Sequence, residues 1–143
     1  MDNRHQAMFD YLSQYPDTHN MLGFNFTDAQ DRAMAIQTVS SQRVAKVDIL
    51  GRRTIEYTFA VVVFRNYSPN PCAEENIEAI QAAQDFMAWI DEQEAIHNYP
   101  TFENAKVKKI ENLQDMPTVA GESESMRLAK YMFQCKVTYQ ELS

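Results

Sequence analysis

The strongest pattern in the chain is an alternation of apolar and polar positions near its C-terminus. Between residues 129 and 140, alanine, aromatic residues, cysteine and valine occupy every second position, and the positions between them are mostly lysine, glutamine and threonine. A period of two is typical of a β-strand with one buried face. Because one strand cannot bury that face alone, we expect it to complete a sheet formed by earlier segments.

Two apolar segments in the first half of the chain predict a β-hairpin. Residues 44–50 and 54–64 are rich in β-branched side chains, and residues 51–53 supply a turn between them. The second segment becomes apolar on both faces towards its end, which favours a central position in the sheet. Shorter strands are expected at 34–39 and at 105–113, the latter with a possible bulge.

A long helix is predicted over about 71–97. Asn70 suits its N-cap, and Pro71 suits its first position. We expect the helix to end near His97 and Asn98, with Asn98 in the left-handed conformation, because Pro100 cannot continue it. Its apolar stripe is widened by Phe86 and consists of Ile77, Ile80, Ala83, Met87 and Ile90.

The remaining segments predict a first helix and two loops. Residues 2–15 form the helix, with His5, Met8, Phe9 and Leu12 on one face, and Pro16 stops it. Residues 16–31 are irregular, and residues 114–125 form an acidic, exposed loop. With no repeat or linker, the interpretation is a single domain over 1–143. Its fold class is α/β (α+β): a mainly antiparallel twisted sheet with the long helix across it and an N-terminal helix.

Composition limits the classes of partner. The 143 residues include 13 Lys and Arg against 20 Asp and Glu, for a formal charge of −7. That balance argues against charge-driven binding to nucleic acid or to an anionic membrane. No signal-peptide core or stretch of about 18 apolar residues is present. We therefore expect neither nucleic-acid sequence recognition nor a membrane partner.

Candidate chemistry is sparse. None of His5, His19 and His97 has a second ligand at metal-binding spacing, so a surface or capping role is favoured for each. Cys72 and Cys135 lie in different predicted elements, which favours two thiols over a disulfide. No catalytic residue, cofactor site or metal site is predicted. The expected structural core includes Phe59, Trp89, Tyr131 and Phe133, with Trp89 between the long helix and the sheet.

Several segments together resemble one protein family. They are Gly51 in the turn, the run 57–61 with Arg65, Asn66 and Tyr67 after it, Asn76, Phe86, Trp89, Ile90 and Gln93 on the long helix, Pro100, and the last strand over 129–139. Their order and spacing over about 43–140 are similar to the small tail-terminator (tail-completion, minor capsid type) proteins of tailed phages and prophages of Gram-positive bacteria.

The resemblance implies a structural role without catalysis. Such a subunit is an α/β sandwich that closes into a ring, commonly a hexamer, on the end of the phage tail tube. The ring terminates tail growth and presents a surface for head joining. The implied partners are other copies of the chain, the tail tube protein and a head-completion or connector protein. The implied location is the host cytoplasm during assembly and then the virion tail.

Two oppositely charged groups of residues are candidates for the ring or tube interface. The basic group lies in and before the hairpin turn, and the acidic group lies in the 114–125 segment; they are Lys46, Arg52 and Arg53, and Asp115, Glu122 and Glu124. Contacts between two different surfaces of a subunit close a ring when the rotation per subunit is right. Complementary charges would set the register of such contacts.

Two alternatives remain open at this point. A head-to-tail connector or another small virion assembly protein would share the size, the acidity and the lack of a catalytic motif. A small cytosolic enzyme, such as a transferase, is the outside alternative, because no base, nucleophile and anion hole can be named together.

Overall fold

One β-sheet organises the part of the chain that the computed structural model describes, which is residues 4–16, 22–24, 33–66, 74–123 and 128–142. These ranges contain two helices and six strands: α1 (Arg4–Leu12), β1 (Leu22–Phe24), β2 (Met34–Val47), β3 (Arg53–Asn66), α2 (Glu74–Ala95), β4 (Ala105–Asn112), β5 (Thr118–Ser123) and β6 (Leu128–Glu141). Residues 2, 19, 70–72 and 124, on which several sequence-based predictions fall, lie outside the described residues.

The strand order is β1-β2-β3-β6-β4, and β5 pairs with β6 on the same side as β4. Only the short β1–β2 pairing is parallel; the other pairings are antiparallel. β3 is therefore central, as its two-sided apolar pattern predicted. The predicted fold class is confirmed: a mostly antiparallel sheet combined with a long helix and an N-terminal helix.

The β3–β6 ladder is the framework of the sheet. It runs from the Thr54–Gln140 pair to the Asn66–Leu128 pair without a register shift. Along β6 the buried positions alternate with half-buried ones, which confirms the prediction from the C-terminal alternation. The alternating buried side chains of β6 and their partners in β3, such as Phe133 and Val61, share one face, because paired residues in a ladder point to the same side. Ala60 and Val62 of β3 are also buried, on the opposite face.

The core lies between that face and the two helices. Met8, Tyr11 and Leu12 of α1 join the same buried cluster as the sheet residues. The α2 residues of this cluster are Ala79, Ala83, Phe86, Met87 and Ile90. With 22 residues, α2 is about 33 Å long and spans much of the sheet face.

The helix ends differ from the predictions. Ile77 does not belong to the buried stripe, since it is 64% exposed. α2 ends at Ala95, and His97 rather than Asn98 takes the left-handed conformation, with φ of 58°. α1 ends at Leu12, before the predicted residue 15, because the chain tightens into a turn in which the Tyr15 amide donates to the Leu12 carbonyl.

The prediction of two separate strands at 34–39 and 44–50 and the prediction of a loop at 114–125 were wrong. The expected separate strands at 34–39 and 44–50 are one strand, β2, which stays paired with β3 through register shifts beginning at Thr38. Ile49 and Leu50 consequently lie in the turn, and Arg53 begins β3. Residues 114–125 are not simply an exposed loop, because β5 pairs with β6. The bulge expected in β4 is confirmed between Val107 and Lys109.

Charged side chains lie on the sheet face opposite the helices. Lys136 Nζ is 2.8 Å from Glu56 Oε2 and 3.3 Å from Glu111 Oε1, so one ammonium joins three strands. Lys109 Nζ also lies 2.8 Å from Glu111 Oε2, and these contacts lower the pKa of Glu111. Neither described helix is long and apolar enough to cross a membrane.

Candidate assembly surfaces

The β2–β3 turn extends past the end of the β3–β6 ladder, whose last pair is Thr54–Gln140. Asp48 organises this turn. Its Oδ1 accepts hydrogen bonds from the amides of Leu50 and Arg52, both at 2.9 Å. Its carbonyl accepts from the amide of Gly51 at 3.0 Å, and Gly51 supplies a positive φ of 81°. The donors around Asp48, chiefly the Arg52 amide, lower the pKa of its carboxyl group. The turn is thus held in one conformation by local contacts.

Arg52 and Arg53 are both bound to carboxylates of their own subunit. Arg52 Nε donates to Asp48 Oδ2 at 2.8 Å. Arg53 donates from Nε and Nη2 to both oxygens of Glu141, at 2.9 and 2.6 Å, which is the bidentate geometry of strong arginine–carboxylate pairs. Arg53 lowers the pKa of Glu141. The two arginines therefore present less uncompensated charge than the sequence suggested, whereas Lys46 is exposed on β2.

Three large apolar residues are exposed at the end of the hairpin. Ile49 is 102% exposed, Leu50 is 73% exposed and Val47 is 58% exposed. We call these three residues the hairpin tip. Single exposed apolar residues are ordinary, but a group of large ones on a projecting turn marks a candidate interaction surface. Sequence reasoning missed it because residues 44–50 were assigned to a strand; an apolar pair directly before Gly51 was the available signal.

A second surface lies on the β4–β5 side of the sheet. Met116 and Val119 are exposed there, and we call them the edge patch. Both lie on the α2 side of the sheet, because Met116 Sδ is 3.0 Å from Gln84 Nε2 and Val119 pairs with the buried Tyr131. Leu113 is also exposed, but it lies opposite Gln134 and therefore on the other face of the sheet. A cleft of about 350 Å³ lies on the same side, and its lining includes Gln84, Asp91 and Asp115. Asp115, one of the residues predicted for the interface, is exposed. The side chain of Glu122 and the whole of Glu124 lie outside the part of the chain that can be described.

Gln114 fastens the edge patch to the sheet. Its Oε1 accepts from the Gln134 amide at 3.2 Å, and its Nε2 donates to the Met116 carbonyl at 2.7 Å. The Leu113 amide donates to the Gln134 carbonyl at 2.8 Å. Gln134 lies at the point of β6 where pairing passes from β4 to β5. The Gln114 side chain thus fills the gap in the ladder between the two strands.

The two surfaces lie on opposite edges of the described sheet. β2 forms one edge beyond Ile36, the last residue paired with β1, and β4 with β5 forms the other. Within one subunit, Lys46, Arg52 and Arg53 are therefore not brought together with Asp115. They are placed where two different copies could meet.

The expected core residues are found in different environments. Phe59 and Phe133 are fully buried in the sheet, and Tyr131 is 6% exposed. Trp89 is only half-buried, and its described ring contacts differ from the predicted position between α2 and the sheet. Its ring centroid lies 5.6 Å from each of the Tyr11 and Tyr15 rings and 5.9 Å from that of Phe86. The reason is that α1 and the turn after it cover this side of α2.

Reactive groups do not assemble into a site in the described residues. The Cys135 thiol is fully buried, its Sγ lies 3.2 Å from Asn112 Oδ1, and burial raises its pKa well above the ordinary value. A thiol of that kind stays protonated at neutral pH. His5 Nδ1 lies 2.6 Å from the Tyr57 hydroxyl, so His5 is a hydrogen-bonded surface residue. No group of three potential metal ligands occurs within the described ranges.

Comparisons with known proteins give one informative result. No protein-family model matches the chain, and no curated protein matches it in sequence. Among solved structures, the chain is similar to one from the "Virion of native gene transfer agent (GTA) particle", with a TM-score of 0.57 and 8% identity. The match covers 95% of this chain and 93% of the other. The chain therefore shares, over nearly its whole length, the fold of a chain found in a phage-like particle.

Proposed function

We propose that this protein is a structural subunit of a phage or phage-like particle, and that it forms a ring which terminates the tail tube. The observation that carries the proposal is the fold similarity to a chain of a gene transfer agent virion, which covers 95% of one chain and 93% of the other. The resemblance of the segments over 43–140 to tail-terminator proteins supports the finer assignment to the tail end.

The arrangement of the subunit supports ring formation. Two distinct surfaces, the hairpin tip and the edge patch, lie on opposite edges of the sheet. A ring needs heterologous contacts, in which one surface of each subunit meets a different surface of the next. The uninterrupted β3–β6 ladder between the surfaces provides a stiff connection, which would keep the rotation between neighbours constant.

In this proposal the ring matches the symmetry of the tube, with six subunits. It binds the last layer of tail tube protein on one side and a head-completion or connector protein on the other. The subunit performs no catalysis and assembles in the host cytoplasm before it becomes part of the virion tail. A head-to-tail connector is a second candidate, because the match to a chain from a virion fits that role as well.

Deletion of the gene separates the two roles. A terminator stops tube growth, so particles made without it should carry overlong tubes of irregular length when viewed by electron microscopy. Expression of the wild-type protein from a plasmid should restore uniform tubes joined to heads. Uniform tubes of normal length that lack only their heads would contradict termination and favour the connector.

A further inference from the structure

We propose that the hairpin tip of one subunit docks on the edge patch of a second copy of this chain. The partner is thus another copy, and the contact joins Val47, Ile49 and Leu50 to the surface around Met116 and Val119. This inference rests on the proposed function, because it names the contact that would close the ring.

The exposure of the tip is the first step. Ile49 and Leu50 are among the most exposed large apolar residues described, and they lie on a turn that projects past the ladder. Such side chains do little for the fold of their own subunit. Burying them against a partner removes apolar surface from water, which is the main favourable term in most association.

The order within the turn is the second step. Asp48 fixes the amides of Leu50 and Arg52, and Arg53 is fixed to Glu141 at the base of the turn. A binding element that is already ordered loses less conformational freedom when it docks. The tip is therefore built as a rigid projection.

Charge identifies the second copy as the partner. Lys46 is exposed on β2 before the tip, and Asp91 and Asp115 are exposed beside the edge patch. A basic, apolar tip and an acidic, apolar patch are complementary, and opposite charges across a contact fix its register. The cleft of about 350 Å³ beside the patch has a mostly polar lining that includes both aspartates, which suits a basic side chain of the neighbouring copy.

The positions of the two surfaces determine the kind of assembly. A symmetric pairing of tip with tip would bury the two tips but leave the edge patch of each subunit uncovered. Head-to-tail contact between successive copies uses both surfaces once per subunit and closes into a ring when the rotation allows. Direct β-pairing through the β2 edge is less suitable, because register shifts interrupt that strand at three places.

The first test is a pair of substitutions in the tip, Ile49→Ser with Leu50→Ser. Sedimentation velocity over a range of protein concentrations, at moderate salt, measures self-association of the purified full chain. We expect the apparent dissociation constant to rise at least tenfold. Ile77→Ser with Ile96→Ser is the matched control, since those isoleucines are 64% and 62% exposed but lie on or directly after α2. Circular dichroism melting verifies that all variants fold.

Mixing variants gives the sharpest outcome. The tip variant keeps an intact patch, and the patch variant Met116→Ser with Val119→Ser keeps an intact tip. Each alone should stay monomeric, whereas an equimolar mixture should form a heterodimer but no ring, because only one intact contact is possible. A tip variant that associates like the wild type, or a mixture that stays monomeric, overturns the proposal.

A photo-crosslinking amino acid in place of Leu50 tests the contact in assembled particles. Crosslinks from this position to residues 113–119 of a second copy support the proposal, and the same amino acid in place of Ile77 is the control. Crosslinks to the tail tube protein, or none in either purified protein or particles, overturn it. That failure would leave tail termination standing, because the tube lengths seen after gene deletion test termination separately.

Discussion

Replacing Trp89 by Ala tests how the two helices are held together. Trp89 is the single tryptophan of the chain, and its ring contacts those of Tyr11, Tyr15 and Phe86. Tyr11 also donates a hydrogen bond from its hydroxyl to the Asn98 carbonyl at 2.7 Å. Trp89 therefore lies where α1 and the turn after it meet α2.

The size of the effect follows from burial. Truncation of a fully buried tryptophan to alanine costs about 3–5 kcal/mol. Trp89 is only half-buried, but the three ring pairs it would lose each contribute about 0.5–1.5 kcal/mol beyond their area. We expect Trp89→Ala to lower the free energy of unfolding by about 2–4 kcal/mol. In a domain of this size that lowers Tm by roughly 5–15 °C.

Urea denaturation followed by far-ultraviolet circular dichroism measures this change. Fluorescence is unsuitable, because the substitution removes the single tryptophan. Trp89→Phe keeps a ring in place and should recover more than half of the loss. Limited proteolysis provides a second measurement, since a weakened contact should speed cleavage near residues 13–16 before the sheet unfolds. Wild-type stability together with unchanged cleavage in Trp89→Ala would refute the assignment of Trp89 to the α1–α2 contact.

Three further predictions concern buried and charged groups. Cys135→Ser should lose about 1–3 kcal/mol in urea denaturation, because it buries a more polar group for which Asn112 Oδ1 is the one described acceptor; equal stability of Cys135→Ser and wild type would contradict this. Gln114→Ala should lose about 1–3 kcal/mol of stability, because the amide of the half-buried Gln134 loses its acceptor. Gln114→Glu keeps an acceptor and should lose less. Hydrogen exchange at the Gln134 amide should therefore accelerate only in the alanine variant. Because the pKa values of Glu111 and Glu141 are lowered in the folded state, their contribution to stability is present above the ordinary glutamate pKa of about 4.3 and is lost as pH falls through their folded values. The free energy of unfolding, measured from pH 6 to 3, should fall more steeply in wild type than in Glu141→Gln. Parallel curves for the two proteins would contradict that contribution.

The strands were predictable where the hydrophobic pattern follows from the burial of one face of the sheet. Every second residue of β6 must be buried if the sheet is covered by helices, and the sequence carries that alternation with little interruption. The same holds for β3, whose apolar positions on both faces indicated a central strand. These two strands pair with each other, so the best-predicted segments form the framework of the fold.

The missed elements depend on partners that no local pattern reveals. β2 continues through residues 40–43 only because β3 stays paired beside it across register shifts. β5 follows β4 along the same edge of β6, and the Gln114 side chain bonds to β6 in the gap between the two strands. Sequence periodicity describes one segment at a time, so it identified neither the continuation nor the second strand on the β6 edge.

The candidate interface was only partly predictable for the same reason. Arg53 was predicted to belong to the basic group of the interface, but it is paired with Glu141, which lies 88 positions away in sequence. Ile49 was assigned to a strand because β-branched residues favour strands, and the hydrogen bonds of Asp48 place it in the turn instead. The apolar hairpin tip is therefore a stronger interface candidate than the arginines beside it.

Cryo-electron microscopy of intact particles tests the central claim most directly. The fold described here should fit a ring of density at the head-proximal end of the tail tube, with six copies and one hairpin turn directed at each neighbouring subunit. Density for this chain along the tube, inside the head or with a symmetry that does not match the tube would contradict tail termination.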